Sequence, residues 1–148
     1  MRRRTFLGIV VAAALGGARA ATADAVIEVH KSPTCGCCGN WVEHLRSNGF
    51  AVTVNDTDKL DALRAKVGVP AALAGCHTAL VSGYVVEGHV PAKDIQKLLA
   101  ERPKARGLAV PGMPAGSPGM DAPHAPGYDV LLFHADGATR VYHAYPAT

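Results

Sequence analysis

Residues 25–45 read AVIEVHKSPTCGCCGNWVEHL, and this stretch sets the expected fold. Its first six residues are mostly apolar and β-branched, which predicts a strand that runs into a loop at Lys31–Thr34. Beyond the cysteines, Trp41, Val42 and Leu45 have the spacing of one apolar helix face, and the pattern stops near residue 48. The stretch therefore predicts a strand, a cysteine loop and a helix.

A second strand and a second helix follow. Phe50–Val54 is a short β-branched run, and Leu60, Leu63 and Val67 recur at helical spacing. Gly68 is expected to end this helix, because glycine readily adopts the left-handed conformation of a helix C-terminus.

A hairpin and a third helix complete the pattern. Thr78–Val81 and Tyr84–Val86 are apolar runs separated by Ser82-Gly83, which predicts a tight turn. A helix is expected from about Pro91, a residue suited to the first helical position, with Ile95, Leu98 and Leu99 facing inward. The order β-α-β-α-β-β-α, with cysteines between the first strand and the first helix, is typical of a thioredoxin-like α/β fold.

The remaining segment has a different composition, since residues 103–127 hold six of the ten prolines and five glycines. We expect an irregular Gly/Pro/Met loop there and no core element. Asp129–His134 and Thr139–Tyr145 flank Ala135-Asp-Gly137 and predict a C-terminal β-hairpin. We therefore expect a metal-binding domain over residues 21–102, with the hairpin at residues 128–148 as part of the same domain.

The N-terminus predicts export. Arginines at positions 2–4 precede an apolar run from Phe6 to Leu15, and Ala18-Arg-Ala20 follows, which is the order of a signal peptide over residues 1–20. The run is shorter than the roughly 20 residues of a membrane span. We expect cleavage near Ala20, a periplasmic location and no membrane span afterwards. Arg3-Arg-Thr-Phe-Leu7 resembles a twin-arginine signal, and a general secretory signal is the alternative.

Charge argues against a nucleic-acid partner. The 148-residue chain has a formal charge of +3, but residues 1–20 hold four of its 15 basic residues and none of its 12 acidic residues. The remainder carries a charge of −1 and has no basic patch, so nucleic-acid binding is not expected. The sequence also has no Ser/His/Asp arrangement, phosphate loop or nucleotide fingerprint.

Four cysteines carry the chemistry. Cys35, Cys37 and Cys38 lie within four residues, and Cys76 lies just before the third predicted strand. In a thioredoxin-like topology that strand starts beside the first helix, so the fourth sulfur approaches the other three. The positive end of a helix dipole favours the thiolate, which is both the nucleophile and the metal ligand.

Three roles are open to such a cluster. Sulfur ligands select Cu(I), Zn²⁺ or iron–sulfur clusters, and all four cysteines can contribute. Cys35 and Cys38 also stand in C-x-x-C register, typical of a thiol–disulfide oxidoreductase with Cys35 as nucleophile and Cys38 as resolving thiol. Two structural disulfides are the third alternative, because exported proteins with an even number of cysteines usually oxidise them.

The spacing favours copper among the metals. A zinc site prefers two separated C-x₂-C pairs, whereas Cys37 and Cys38 are adjacent, which makes four-sulfur closure around one Zn²⁺ awkward. Cu(I) accepts few ligands and shared sulfurs, so crowded thiolates can bridge more than one ion. Structural bridges are less expected, because three neighbouring sulfurs cannot all join distant segments.

Four further side chains are weaker candidate ligands. His77 and His89 lie in loops that flank the predicted hairpin, and imidazole binds copper, although most loop histidines are simply solvated. Met113 and Met120 carry soft thioethers in the Gly/Pro loop, although methionine also commonly fills gaps over a core.

Several stretches resemble a known family. They are Lys31–Trp41, Cys76–Ala79, Gly83–Pro91 and Gly107–Met113 with Gly116–Met120. Together they resemble the thioredoxin-like metal-binding proteins of bacteria that were long described as a domain of unknown function, which include periplasmic copper-resistance proteins. The resemblance implies copper bound by the cysteines and a role in copper resistance or homeostasis. It also implies copper redox cycling, which would make the chain a copper oxidoreductase, and other periplasmic copper-handling proteins as partners.

One departure from ordinary thioredoxins concerns the residues before the third strand. Thioredoxins have a cis-proline there, whereas this chain has Cys76-His-Thr78. A proline offers no ligand, so its replacement by cysteine and histidine favours a coordination site over a thioredoxin-type substrate groove. We therefore expect an exported copper-binding protein.

Overall fold

The computed structural model describes residues 25–148, which form a mixed α/β fold. The predicted signal peptide at residues 1–20 lies outside the described residues. Within residues 25–148, every helix is too short or too polar to span a bilayer.

Three helices and seven strands follow one another along the chain. The helices are α1 (Gly36–Ser47), α2 (Leu60–Val67) and α3 (Ala92–Glu101), and a 3-10 turn spans Ala71–Leu73. The strands are β1 (Val26–Lys31), β2 (Ala51–Asp56), β3 (Thr78–Val81), β4 (Tyr84–Glu87), β5 (Gly107–Ala109), β6 (Tyr128–Phe133) and β7 (Thr139–Tyr145). The predicted order of elements up to residue 102 is therefore present.

All seven strands belong to one sheet with the order β2-β1-β3-β4-β5-β6-β7. β1 is parallel to β2 and antiparallel to β3, and β3 forms an antiparallel hairpin with β4. In this arrangement β1 leads into the N-terminus of α1, while the residues just before β3 lie at the same edge, because β3 runs antiparallel to β1.

The ends of two helices differ slightly from the prediction. α1 begins at Gly36, with Cys35 as its N-cap, so Cys37 and Cys38 lie inside its first turn. Pro91 is the N-cap of α3 and not its first helical residue. α2 ends as predicted, since Gly68 adopts the left-handed conformation with φ 79°. These differences of one or two residues are usual at helix ends, where the hydrogen-bonding pattern changes gradually.

The core lies between the sheet and the helices α1 and α3. Trp41, Val42 and Leu45 of α1 are buried, as are Ile95 and the following leucines of α3. α2 has no buried residue, so its apolar positions are only partly covered. Apolar area buried between these helices and the sheet stabilises the fold by about 25 cal/mol per Å².

The prediction that residues 103–127 contain no core element is wrong at β5. β5 pairs in parallel with β4 and antiparallel with β6, and Leu108 is fully buried. A Cβ atom at Gly107 would overlap the backbone of Val85, so glycine permits close packing at this position. The Gly/Pro-rich composition concealed this three-residue strand, which joins the C-terminal hairpin to the rest of the sheet.

The predicted C-terminal hairpin is formed by β6 and β7, and it is fixed to α3 through the buried carboxylate of Asp94. The hydroxyl of Tyr145 donates to Asp94 Oδ2 at 2.6 Å, and His143 Nδ1 lies 2.7 Å from Asp94 Oδ1. Tyr128 stacks on Tyr145 with ring centroids 4.8 Å apart. Position 94 carries an acidic residue in the first turn of α3, which the helix dipole also favours.

Removing the Tyr145 hydroxyl tests this attachment through its pH dependence. Burial, followed by the hydrogen bond to Asp94, raises the pKa of Tyr145 above its usual value near 10. A raised folded-state pKa gives stabilisation that is present below about pH 10 and lost as the pH rises through the folded pKa. Tyr145→Phe should therefore lose about 1 kcal/mol of unfolding free energy at pH 7.

The same comparison at alkaline pH should give a smaller difference between the two proteins. Urea unfolding of the wild type and Tyr145→Phe at pH 7 and above pH 10 measures it, since all other titrating groups are common to both and cancel. A difference that stays constant or grows above pH 10 would show that the Tyr145–Asp94 hydrogen bond does not contribute.

Candidate metal centre

The four cysteine sulfurs converge at the N-terminus of α1. Cys76 Sγ lies 2.8 Å from the sulfur of Cys35, 3.2 Å from that of Cys37 and 3.0 Å from that of Cys38. The sulfurs of Cys35 and Cys37 are 3.4 Å apart. The expected approach of the fourth sulfur is therefore present, because the hairpin of β3 and β4 carries Cys76 to the helix terminus.

The cysteines occur in two covalent states. Cys35 and Cys38 form a disulfide, with their Cα atoms 5.4 Å apart, whereas Cys37 and Cys76 are free thiols. The chain thus does not contain the two structural disulfides considered as the third alternative. When the Cys35–Cys38 bond is reduced, all four side chains are available as ligands at the N-terminus of α1.

Burial and the close packing of the sulfurs make this cluster a poor place for several thiolates without a cation. Burial, followed by the hydrogen bond with the Cys37 thiol, raises the pKa of Cys76 to about 12. A bound soft cation reverses this preference, because thiolates are its natural ligands and its charge offsets theirs. The four sulfurs together form a group that can hold a metal ion.

Two histidines extend the cluster into the interior. His77 and His89 are fully buried, and their rings lie 5.3 Å apart. Cys76, His77 and His89 form a second group whose potential ligand atoms lie within 4.8 Å of one another. The alternative that these are solvated loop histidines is therefore wrong, because the hairpin turns both side chains inward.

Both imidazoles are kept neutral, and their ring nitrogens are poorly satisfied. Burial, followed by the proximity of His89, lowers the pKa of His77 to about 3, and burial lowers the pKa of His89. Among the described residues, no hydrogen bond of regular geometry reaches either ring nitrogen of these two side chains. Only the backbone of Gly88, beside His77, and that of Pro118, beside His89, weakly favour the protonated rings. A buried polar group without a partner is costly, and a neutral imidazole is the form that binds a metal.

Trp41 forms the apolar wall beside these histidines. Its ring lies 4.1 Å from the His77 ring, and its Nε1 donates to the carbonyl oxygen of Val90 at 2.8 Å. The core role expected for Trp41 is therefore confirmed, and its indole N–H is satisfied by the backbone.

The Gly/Pro loop lies over the N-terminus of α1. A Cβ atom at Gly119 would lie 2.8 Å from the carbonyl oxygen of Cys37, so this close approach requires glycine. Met113 Sδ lies 3.8 Å from Cys37 Sγ, whereas the side chain of Met120 makes no hydrogen bond within residues 25–148. Of the two methionines, Met113 is thus the one that contacts a cysteine sulfur.

Comparison with known proteins agrees with the site. A family described as "Protein of unknown function, DUF411" matches residues 73–120. Two solved structures, named copper resistance protein CopG form 1 and form 2, are each 44% identical to the chain with a TM-score of 0.78. Each match covers 82% of this chain, and the matches cover 97% and 98% of the form 1 and form 2 chains, respectively. The chain belongs to the CopG family.

Family membership confirms the resemblance based on the sequence stretches between residues 26 and 120. No curated protein matches the chain. The CopG relationship also shows that the mixed α/β arrangement is shared with a protein of copper resistance. This family member therefore combines a cysteine cluster that can hold a metal with homology to a copper resistance protein.

A buried ionic network, which the sequence did not predict, holds the Cys76 segment of this CopG-family chain. Glu87 is fully buried, and its Oε1 accepts from Arg64 Nε at 2.7 Å and from the backbone N–H of Gly75 at 2.8 Å. Its Oε2 accepts from the Thr78 hydroxyl at 2.6 Å, and Arg64 Nη2 donates to the carbonyl oxygen of Gly75 at 2.8 Å. Both backbone groups of the residue before Cys76 are thus fixed.

The sequence contained a signal for this network. Glu87 is the acidic end of an otherwise apolar strand, Tyr84–Glu87, in which every residue is buried. A carboxylate in such a strand is buried only when it is paired, so a cationic partner is required. The partner, Arg64, lies on α2, and the sequence alone does not identify it.

Replacing Glu87 tests the network. Glu87→Gln leaves the mostly buried Arg64 guanidinium with only the exposed carboxylate of Asp61, 3.1 Å away, as an ionic partner. We therefore expect the reduced, metal-free protein to lose about 3 kcal/mol of unfolding free energy in urea. The matched control is Glu43→Gln, which removes an exposed ion pair of the same 2.7 Å length with Arg46. That change should cost less than about 1 kcal/mol. Equal losses in the two variants would contradict the role of the network.

Proposed function

We propose that this chain is an exported protein that binds Cu(I) through Cys35, Cys37, Cys38 and Cys76 and acts in copper resistance or homeostasis. The observation that carries the proposal is the convergence of four sulfurs, three of them within 3.2 Å of the fourth. Thiolates are soft ligands, and they select Cu(I) over hard cations. The family relationship to a copper resistance protein points to the same metal.

We further propose that the site takes more than one copper ion, with His77 and His89 as additional ligands. Cys76 belongs both to the four-sulfur group and to the group with the two histidines, which supports a sulfur that bridges two ions. The neutral imidazoles beside it support ligation, because a metal would satisfy ring nitrogens that make no hydrogen bond of regular geometry. Zinc is the less suitable metal for the adjacent Cys37 and Cys38.

The cellular setting is part of the proposal. A signal peptide over residues 1–20, by the twin-arginine or the general secretory route, and a periplasmic location follow from the N-terminal sequence. A disulfide between Cys35 and Cys38 suits an oxidising compartment. The sheet order β2-β1-β3-β4, with β3 antiparallel to its neighbours, supports a thioredoxin-like core. Other periplasmic copper-handling proteins are the proposed partners, and copper redox cycling is the proposed extension.

Titration with Cu(I) tests the proposal. The reduced protein should bind copper stoichiometrically under anaerobic conditions, as measured by native mass spectrometry, and Cys37→Ser and Cys76→Ser should each lose most of that copper. A disulfide-reduction assay on the same variants is the control, because an oxidoreductase that uses Cys35 and Cys38 needs neither of the substituted residues. Full copper binding by Cys76→Ser, or none by the wild type, would refute the proposal.

Oxidation of the Cys35–Cys38 pair should lower the copper content. A disulfide removes two thiolates from the site, so the oxidised protein should bind fewer Cu(I) ions than the reduced protein, and a phosphine reductant should restore them. The measurement is the copper-to-protein ratio after gel filtration of both forms. An unchanged ratio would mean that Cys35 and Cys38 are not ligands.

A further inference from the structure

Met113 lies at the exposed rim of the cysteine cluster. Its side chain is 52% exposed, and its sulfur is 3.8 Å from the free thiol of Cys37. The other large apolar side chains that are exposed among residues 25–148 are three valines, which offer no ligand atom. Met113 is therefore a soft donor that contacts both solvent and the cluster.

The interior side of the cluster is closed. His77, His89 and Cys38 are fully buried, and Trp41 covers His77 from the core side. A metal ion from solvent must therefore approach through the partly exposed cysteines. Among these, Cys37 and Cys76 are free thiols, and Met113 lies next to Cys37.

The backbone holds Met113 in this place. Gly112 donates its N–H to the carbonyl oxygen of Ala74 at 3.1 Å and forms a bridge with Gly75, close to Cys76. Gly112 has φ 69°, a left-handed conformation that favours glycine, and the chain turns at this residue. The segment before Cys76 is thus hydrogen-bonded to the segment before Met113, and this contact keeps the Met113 thioether beside the cluster.

The position of Met113 does not fit a packing role. A methionine that fills a gap over the core has a covered side chain, whereas this one is about half exposed. Its ligand chemistry differs from that of the cysteines, because a thioether is neutral and loses no proton when it binds copper. It is a soft ligand without the charge of a thiolate, so we expect it to hold Cu(I) weakly and release it easily.

We infer that Met113 is the exchange ligand through which Cu(I) reaches and leaves the cluster, an inference that rests on the proposed function. Cu(I) first binds Met113 Sδ as it leaves its donor ligand. A bond to Cys37 Sγ then forms while the thiol proton passes to solvent, and the bond to the thioether breaks. Copper stays Cu(I) throughout, so no oxidant or reductant takes part. Release follows the same steps in reverse.

The test is the rate of copper exchange in Met113→Leu, which keeps the size of the side chain and removes the sulfur. Cu(I) bicinchoninate is the donor in stopped-flow uptake, and excess bicinchoninate is the acceptor in release. Both rates should fall by about tenfold, while the copper affinity stays within about twofold of the wild type, because a transient ligand changes the two rates equally. Met120→Leu is the matched control and should exchange copper at the wild-type rates.

The possible outcomes separate the inference from the proposed function. Wild-type rates in Met113→Leu would overturn the inference and leave the copper site intact. A tenfold loss of affinity with unchanged uptake would also overturn it, since Met113 would then be a resident ligand. A wild-type protein that takes no copper from bicinchoninate in either assay would remove the proposed function and the inference together. Circular dichroism checks that both variants are folded.

Discussion

The geometry of the cluster depends on the buried carboxylate of Glu87. This group pairs with Arg64 and accepts the N–H of Gly75, so three elements of the fold, α2, β4 and the segment before β3, meet at one charge. Breaking such a pair leaves an uncompensated charge in the interior, which makes the arrangement strongly specified. Cys76 follows Gly75 directly, and its sulfur therefore has a defined position relative to α1.

Backbone packing adds a second constraint at the same point. A Cβ atom at Gly75 would lie 2.6 Å from Gly88 Cα, so the chain before Cys76 crosses the chain before His89 without space for side chains. The backbone N–H of Gly88 also donates to the carbonyl oxygen of His77 at 2.9 Å. This crossing brings both histidines beside Cys76. Such a set of sulfurs and neutral imidazoles can hold a metal ion.

The site of this CopG-family protein thus has a closed interior side and an exposed rim. Trp41 and the buried histidines form the inner wall, while Cys37 and Met113 lie where solvent reaches the sulfurs. In the proposed copper site, the inner residues would bind the ion away from water, and Met113 at the rim would permit exchange. The proposed role in copper handling needs both properties. The same fold supplies them from one short helix terminus and the loops around it.

The sequence by itself determined the local elements and the chemical class of the site. The strand before Cys35, the helix face at Trp41 and Leu45 and the hairpin at Ser82-Gly83 follow from periodicity and turn chemistry, which act over a few residues. The sulfur content of Cys35 to Cys38 likewise indicated soft-metal or redox chemistry without coordinates. Only the tertiary structure decided that β5 completes the sheet, that Arg64 neutralises Glu87, and that His77 and His89 are buried. Those features depend on contacts between residues far apart in the chain, and such contacts leave no periodic pattern in the sequence.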